Sequence, residues 1–129
     1  MNKNLLKSPR TIAVQMLYSY SINPDQKIIY NKNQFKKFIK DVVNGTIERK
    51  EFIDETIEKY LKDDINDIKT DKILKIIIQA AVYELLYVHK NNKKIIISEY
   101  LKTAENFVIS SQLKFLNAIL DKISKLIRK

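Results

Sequence analysis

Glycine and proline are almost absent from this chain, and that scarcity limits its possible folds more than any other feature. The 129 residues include one Gly and two Pro, so few positions can form the tight turns that separate the strands of a β-protein. Apolar residues recur at intervals of three and four, which is the period of an amphipathic helix. The chain is therefore predicted to be all-α, built from long helices in a single domain spanning residues 1–129.

The first half of the chain is predicted to hold two helices. Ser8 is a good N-cap and Pro9 suits the first helical position, so the first helix should run to about residue 20. A second apolar face extends over residues 34–62, which predicts one long helix there. Gly45 lies inside this helix, where it can kink the backbone.

The second half is predicted to hold three more helices. After a polar connection at residues 63–67, Thr70 or Asp71 can cap a helix that runs to about His89. This helix is apolar nearly all round, so it belongs in the centre of the domain. A fourth helix follows the loop at residues 90–94, and Ser110 or Ser111 caps the last helix, whose core positions are Leu116, Leu120, Ile123 and Ile127.

The composition argues against most catalytic classes. The chain has no Cys, which removes thiol catalysis and cysteine-ligated metals, and its single Gly excludes glycine-rich phosphate loops. The only His, His89, stands at a predicted helix end, where an imidazole interacts with the last carbonyls. The carboxylates between residues 41 and 67 alternate with lysines at helical spacing, which is typical of a solvated helix face. We therefore expect a binding protein that is not an enzyme and uses neither a cofactor nor a metal.

Charge is distributed unevenly along the chain. The net charge is +9, and residues 1–40 carry eight Lys or Arg against one acid. Residues 41–70 carry five bases against nine acids, and residues 71–129 carry eleven against five. The basic ends suggest an anionic partner. The longest apolar run, residues 76–88, is shorter than the roughly 20 residues that span a bilayer, and the start of the chain does not have the pattern of a secretion signal, so we expect a cytoplasmic protein with no membrane partner.

Three places on the predicted helices could recognise a partner. On the first helix Lys7, Arg10, Val14 and Tyr18 are spaced 3, 4 and 4 apart, with Lys3 just before them. Cations beside an aromatic ring suit single-stranded RNA, which is held through its phosphates and stacked bases. On its spacing alone, however, Tyr18 could equally pack against a neighbouring helix.

The other two places lie on the last helix and the central helix. Lys114 and Phe115 begin the last helix, and Phe115 falls on the rim of its apolar face beside Lys122, where it could stack on a base or close the core. Glu84 lies among apolar residues of the central helix. Because an unpaired buried charge is costly, Glu84 should either accept hydrogen bonds inside the fold or face a second protein.

Four stretches of the sequence together resemble the NusB family of transcription antitermination factors. They are Arg-Thr-Ile-Ala-Val-Gln-Met-Leu-Tyr-Ser from Arg10, Ala-Val-Tyr-Glu-Leu from Ala81, Ile-Ser-Glu-Tyr from Ile97, and Lys-Phe-Leu-Asn-Ala-Ile-Leu-Asp-Lys from Lys114. The resemblance covers nearly the whole chain and implies a fold of two small helical bundles packed together. It also implies binding of a short single-stranded RNA element, boxA, in ribosomal RNA transcripts, as a heterodimer with the ribosomal protein NusE within the transcription elongation complex.

The resemblance also implies roles for the candidate residues. Lys3, Lys7, Arg10 and Tyr18 would contact RNA, Lys114, Phe115 and Lys122 would extend that surface, and Glu84 would lie on the NusE side. The sequence departs from the family pattern in its opening helix, where a dense Arg cluster is reduced to Lys3, Lys7 and Arg10. Lys does not make the bidentate phosphate contacts of Arg. A helical protein–protein adaptor with weak or lost RNA binding is therefore the alternative, and homodimerisation of the free protein is left open.

Overall fold

A computed structural model of the chain describes residues 7–129, and helices account for nearly all of its regular structure. The bounds of its α-helices are Pro9–Ile22 (α1), Lys36–Glu48 (α2), Lys50–Tyr60 (α3), Ile65–Lys69 (α4), Lys72–Tyr87 (α5), Lys93–Ala104 (α6) and Ser110–Ile127 (α7). A 3₁₀ turn, Lys62–Asp64, joins α3 to α4. Residues 7–129 contain no β-strand, so the predicted all-α fold class is confirmed.

Helix α1 begins and ends close to where its sequence predicts. The Ser8 side chain accepts a hydrogen bond from the Thr11 backbone N–H, and Pro9 opens the helix. At the other end the Asn23 N–H donates to the Ser19 carbonyl at 3.0 Å. The helix packs against α2, α5 and α6, so more of its circumference is buried than its apolar residues alone would indicate.

The predicted single helix over residues 34–62 is wrong, because the structure divides it into α2 and α3. The break is at Arg49, whose φ of −107° and ψ of 17° are not helical. Helix α2 packs against α1 and α5, whereas α3 packs against α5 and α7. One straight helix could not make both sets of contacts, and the chain therefore turns at Arg49.

The stretch predicted as a polar connection at residues 63–67 is also ordered differently. It forms the 3₁₀ turn and the five-residue α4, and Ile68 at its end is only 1% exposed. Helix α4 packs against α5. Its two apolar residues, Ile65 and Ile68, are too short a pattern to show a helical period, which is why the sequence did not predict this helix.

Helix α5 is the centre of the protein, as its apolar sequence predicts. Eleven of its 16 residues are buried, and it packs against each of the other α-helices. Asp71 is its N-cap and accepts hydrogen bonds from the N–H groups of Ile73 and Leu74. The buried residues on all sides of α5 form one continuous core.

Helices α6 and α7 pack against α5 and against each other, and both carry recognisable caps. The Asn92 side chain accepts from the Ile95 N–H at the start of α6. Helix α7 starts at Ser110, but the residue before it, Ile109, takes the cap position, and its N–H donates to the Gln112 side chain. Within the described residues, no helix is long and apolar enough to cross a membrane.

Candidate nucleic-acid interface

Arg10 and Glu84 form a buried ion pair between α1 and α5. Arg10 Nε donates to one carboxylate oxygen of Glu84 at 2.9 Å, and Nη2 donates to the other at 2.7 Å. Glu84 is 0% exposed and Arg10 is 9% exposed. Paired, charge-assisted bonds of this kind satisfy both groups, because the flat guanidinium matches the two carboxylate oxygens.

Further polar and aromatic groups complete the surroundings of this pair. The Tyr100 hydroxyl donates to Glu84 Oε2, and the Asn91 side-chain amide lies 3.4 Å from Oε1. The Arg10 guanidinium carbon is 4.8 Å from the centre of the Phe38 ring. Burial by itself would lower the pKa of Arg10, but the hydrogen bonds and charge of Glu84 outweigh it and raise that pKa. Burial and the Glu84 charge together raise the pKa of Tyr100 well above its ordinary value.

This pairing changes how two of the candidate residues are interpreted. The sequence left open whether Glu84 bonds inside the fold or faces a partner, and the structure places its carboxylate inside, without solvent contact. Arg10 was expected to meet RNA phosphate, but its guanidinium is directed to Glu84 between α1 and α5. Val14, on the same predicted stripe, is 0% exposed. The stripe on α1 is thus not a continuous exposed surface, because α1 is covered by three neighbouring helices.

Tyr18, at the end of that stripe, is open to solvent. It is 38% exposed and lines a cavity together with Gln15 and Ser19 of α1, Lys72 at the start of α5, and Phe107. The cavity therefore combines two aromatic rings with a lysine and, at Asp71, a carboxylate. We refer to it below as the Tyr18 cavity.

The start of α7 lies at the same end of the molecule as the Tyr18 cavity. The Gln112 side chain donates to Asp71 Oδ2 at 2.7 Å, and Asp71 is itself a lining residue of the cavity. Two residues further along α7, Lys114 is exposed, and Phe115 is partly buried against the core. The structure thus brings Tyr18 and the first turn of α7 together around the N-terminus of α5.

The remaining predicted cations lie elsewhere. Lys122 is eight residues along α7 from Lys114, or roughly 12 Å, and its Nζ is 3.2 Å from Asp64 Oδ2. Lys7 Nζ donates to Gln15 Oε1 at 3.1 Å, on a different side of α1 from Arg10. Lys3 lies outside the described residues. Tyr18 thus lines the cavity at the N-terminus of α5, and Lys7 lies beside Gln15 on the same helix. Lys114 and Phe115 lie in the first half of the neighbouring α7, and Lys122 lies further along it.

Sequence reasoning missed several residues that shape this end of the protein. Lys72 and Phe107 line the Tyr18 cavity, but neither belongs to a recognisable sequence pattern. Lys72 is a single lysine before an apolar run, and the position of Phe107 is typical of a core residue. The link between Arg10 and Glu84 had a usable signal: a carboxylate on a buried helix needs a cation, and the chain has only three Arg.

Tyr18 and Phe107 give this end of the protein two aromatic rings, and Lys72 and Asp71 give it one charge of each sign. Exposed lysines attract phosphates, and aromatic rings offer faces on which unpaired bases stack. Within residues 7–129, no group of three or more His, Asp or Glu side chains is placed to hold a metal ion.

The carboxylates of α3 take part in ordinary polar contacts. Asp54, for example, accepts hydrogen bonds from Lys50 and Gln79.

The fold is that of a small all-α protein built around one central helix, with an aromatic cavity at the N-terminus of that helix. Residues 7–125 match the model of the NusB family. The chain is 32% identical to the transcription antitermination protein NusB of Sulfurovum sp., covering 90% of this chain and 95% of that protein. It is also 32% identical to the protein of the same name from Campylobacter lari, covering 90% and 92%.

A solved structure supports the same fold. The structure of T. maritima NusB aligns with a TM-score of 0.75 at 22% identity, covering 92% of each chain. The chain belongs to the NusB family, as its sequence resemblance predicts, and curated members of that family are transcription antitermination proteins. The family is one of transcription factors and is not a known enzyme family.

Proposed function

We propose that this protein binds single-stranded boxA RNA together with the ribosomal protein NusE, and that it supports transcription of ribosomal RNA as part of the elongation complex. In this proposal the protein is a single RNA-binding domain that acts in the cytoplasm without a cofactor. Membership of the NusB family supports the role in antitermination. RNA binding itself rests on the chemistry of the end of the molecule that holds Tyr18.

The observation that carries the proposal is the meeting of two aromatic rings and a lysine at one end of α5. Tyr18, Phe107 and Lys72 line one cavity, and the Gln112–Asp71 hydrogen bond joins the start of α7 to it. Lys72 supplies the cation of this cavity, and Lys114 is exposed on the neighbouring helix, two residues beyond Gln112. An unpaired base can stack on the exposed Tyr18 ring while its phosphate lies near a lysine.

RNA affinity from this surface alone should be modest. Each lysine that contacts a phosphate releases about 0.7 of a counterion from single-stranded nucleic acid, and burial of Arg10 removes one cation from the surface that the sequence predicted. A second protein that lengthens the binding surface would offset this loss. We therefore expect boxA-like RNA to bind more tightly to the heterodimer with NusE than to this chain alone.

The buried Arg10–Glu84 pair has an indirect role in this proposal. By joining α1 to α5, it fixes the position of Tyr18 relative to Lys72 and the start of α7. Glu84 would then influence partner and RNA binding through the placement of α1, and not by touching either of them.

The test measures binding of a boxA-like RNA by the wild-type chain and by the Tyr18→Ala variant, with and without NusE. Loss of one stacked base should cost about 1–3 kcal/mol, which is roughly a 5- to 150-fold weaker Kd. Phe52→Ala is the matched control, because Phe52 is a similarly exposed ring, 52% accessible, on the acidic helix α3. Equal Kd values for wild type, Tyr18→Ala and Phe52→Ala would contradict the proposed site.

A protein–protein adaptor with weak or lost RNA binding is the second candidate, and the burial of Arg10 favours it over a strong RNA binder. The same titrations decide between the two. An adaptor would still bind NusE, but its complex would bind boxA-like RNA no more tightly than NusE does alone.

A further inference from the structure

A second groove lies on the other side of α1, between that helix and the connection to α2. Its walls are α1, residues 23–33 and the start of α2. Its volume of about 610 Å³ lies within the range of about 300–1,000 Å³ for sites that hold small organic ligands. The groove is therefore large enough to take a nucleotide. We call it the connection groove.

The connection groove has cationic, amide-rich walls. Lys7, Lys27 and Lys36 line it, and among residues 7–129 no Asp or Glu does. Lys27 and Lys36 are exposed. Partly buried tyrosines, Tyr20 and Tyr30, also line it, and the other polar lining groups are largely carboxamides: Gln15, Asn23, Gln26, Asn31 and Asn33.

The connection that forms one wall is anchored to the core although it has neither helix nor strand over residues 27–33. Ile28 and Tyr30 pack against the core, and Ile29 between them is 73% exposed. The Tyr30 hydroxyl donates to Asn44 Oδ1 of α2 at 2.9 Å. Alternating inward and outward side chains fix this wall against α2, so the groove has a definite shape.

The connection groove and the Tyr18 cavity share part of α1. Gln15 and Ser19 line both of them. A strand leaving the Tyr18 ring would meet Gln15 and Ser19, which carry no charge, before it enters the connection groove. The two sites form one path around α1.

We propose that the connection groove binds the single-stranded RNA that flanks the segment held at Tyr18. The inference rests on the proposed function and extends RNA binding to a second surface. Three lysines without a carboxylate suit a run of phosphates. Carboxamides both donate and accept hydrogen bonds, as the edges of bases do, and the faces of bases can stack on tyrosine rings. An acidic protein segment would also be attracted by the lysines, but it has no bases to use the amides and rings.

The test compares two RNAs, a boxA-like RNA and the same RNA extended at both ends with unpaired adenosines. Binding is measured for the full chain, with NusE present, at several salt concentrations. The groove variant is Lys27→Gln with Lys36→Gln. The matched control is Lys90→Gln with Lys94→Gln, which removes two exposed lysines near the opposite end of α5. Thermal melting checks that both variants fold.

For wild type and control we expect the extended RNA to bind more tightly and with a steeper salt dependence than the short RNA. For the groove variant this gain should disappear. Its salt slope on the extended RNA should be shallower by about 1.4, because each of the two removed lysines would neutralise one phosphate and add roughly 0.7 to the slope. The short RNA should bind the groove variant as it binds wild type.

The failures of the two proposals are distinguishable. Suppose that the short RNA binds and that its binding depends on Tyr18. If extending the RNA then gives no gain in affinity, or if the groove variant shows the same gain as wild type, the connection groove does not hold RNA. If polyglutamate competes at the groove lysines while the gain from extension persists, the groove is a site for an acidic protein and the inference is overturned. If neither RNA binds, the proposed function itself fails and the inference fails with it.

Discussion

At the scale of single residues, the main feature of this protein is that two charges on different helices neutralise each other in its interior. Arg10 and Glu84 are joined by two short hydrogen bonds, and both are largely or wholly removed from solvent. Each would be costly alone, since desolvation penalises a buried charge. The pair is therefore a positional constraint, which aligns α1 with α5 and with them the walls of the Tyr18 cavity.

Replacing Glu84 by Gln should destabilise the protein by about 3 kcal/mol, because Arg10 would remain buried without a counter-charge. Chemical denaturation gives the free energy of unfolding. Glu99→Gln is the matched control: Glu99 is partly exposed and its oxygen is 3.8 Å from Arg10 Nη1, so its loss should cost less than about 1 kcal/mol. Similar losses in the free energy of unfolding for the two substitutions would show that the buried pair contributes no more to stability than the exposed Glu99 contact.

At the scale of elements, one glycine determines how closely α2 approaches α5. Gly45 is buried in α2, and a Cβ added there would collide with ring atoms and the hydroxyl of Tyr83 on α5. The sequence suggested a kink at Gly45, but the chain breaks four residues later at Arg49. The glycine serves the packing of the ring, whose hydroxyl donates to Asp41 Oδ1 at 3.1 Å.

Gly45→Ala should therefore destabilise the protein by about 1–3 kcal/mol through overpacking, although Ala favours a helix by about 1 kcal/mol over Gly. A double-mutant cycle with Tyr83→Leu tests the cause. In the Tyr83→Leu background the ring is gone, and Gly45→Ala should become neutral or stabilising. An unchanged penalty in both backgrounds would mean that the collision is not with Tyr83. Denaturant midpoints provide the measurement.

A second element-scale feature is the way α7 ends against α5. Arg128 follows the last turn of α7, and its guanidinium donates to the carbonyls of Glu84, Leu85 and Val88 at the end of α5 and to the Asn91 carbonyl in the loop that follows. Carbonyls at a helix C-terminus have no partner within the helix, so a cation there stabilises the helix end. Sequence spacing gave no sign that the residue after the last helix has this role.

At the scale of the whole molecule, α5 joins the two packed bundles that the family resemblance implies into one structure. Its buried residues contact helices from both halves of the chain and belong to a single continuous core. A chain of this size with one core is expected to unfold in a single cooperative step.

We therefore expect the far-ultraviolet circular dichroism of the helices and the fluorescence of the tyrosines to report the same denaturant midpoint. Tyrosines lie on α1, α3, α5 and α6 and in the connection between α1 and α2, so their signal samples most of the molecule. Separate midpoints for the two signals would indicate that one half unfolds independently and that α5 does not couple them.

The local and periodic properties of this protein were determined by its sequence. The helical class, the Ser8 cap of α1, and the central place of the nearly all-apolar α5 each depend on neighbours within a few residues, which is the range over which capping and amphipathic periodicity act. Family membership followed in the same way from short motifs. Tyr18 and Lys114 were also recognisable as candidates, because aromatic and cationic residues keep the same chemistry wherever the fold places them.

Only the tertiary structure decided which candidate side chains face solvent and which face each other. Arg10 and Glu84 are 74 residues apart, and no periodicity relates positions at that separation. The break at Arg49 and the short α4 likewise follow from what each segment packs against. Burial depends on the neighbours that surround a residue from every direction, and those neighbours come from distant parts of the chain, so helical spacing alone could not separate the exposed Tyr18 from the buried Arg10.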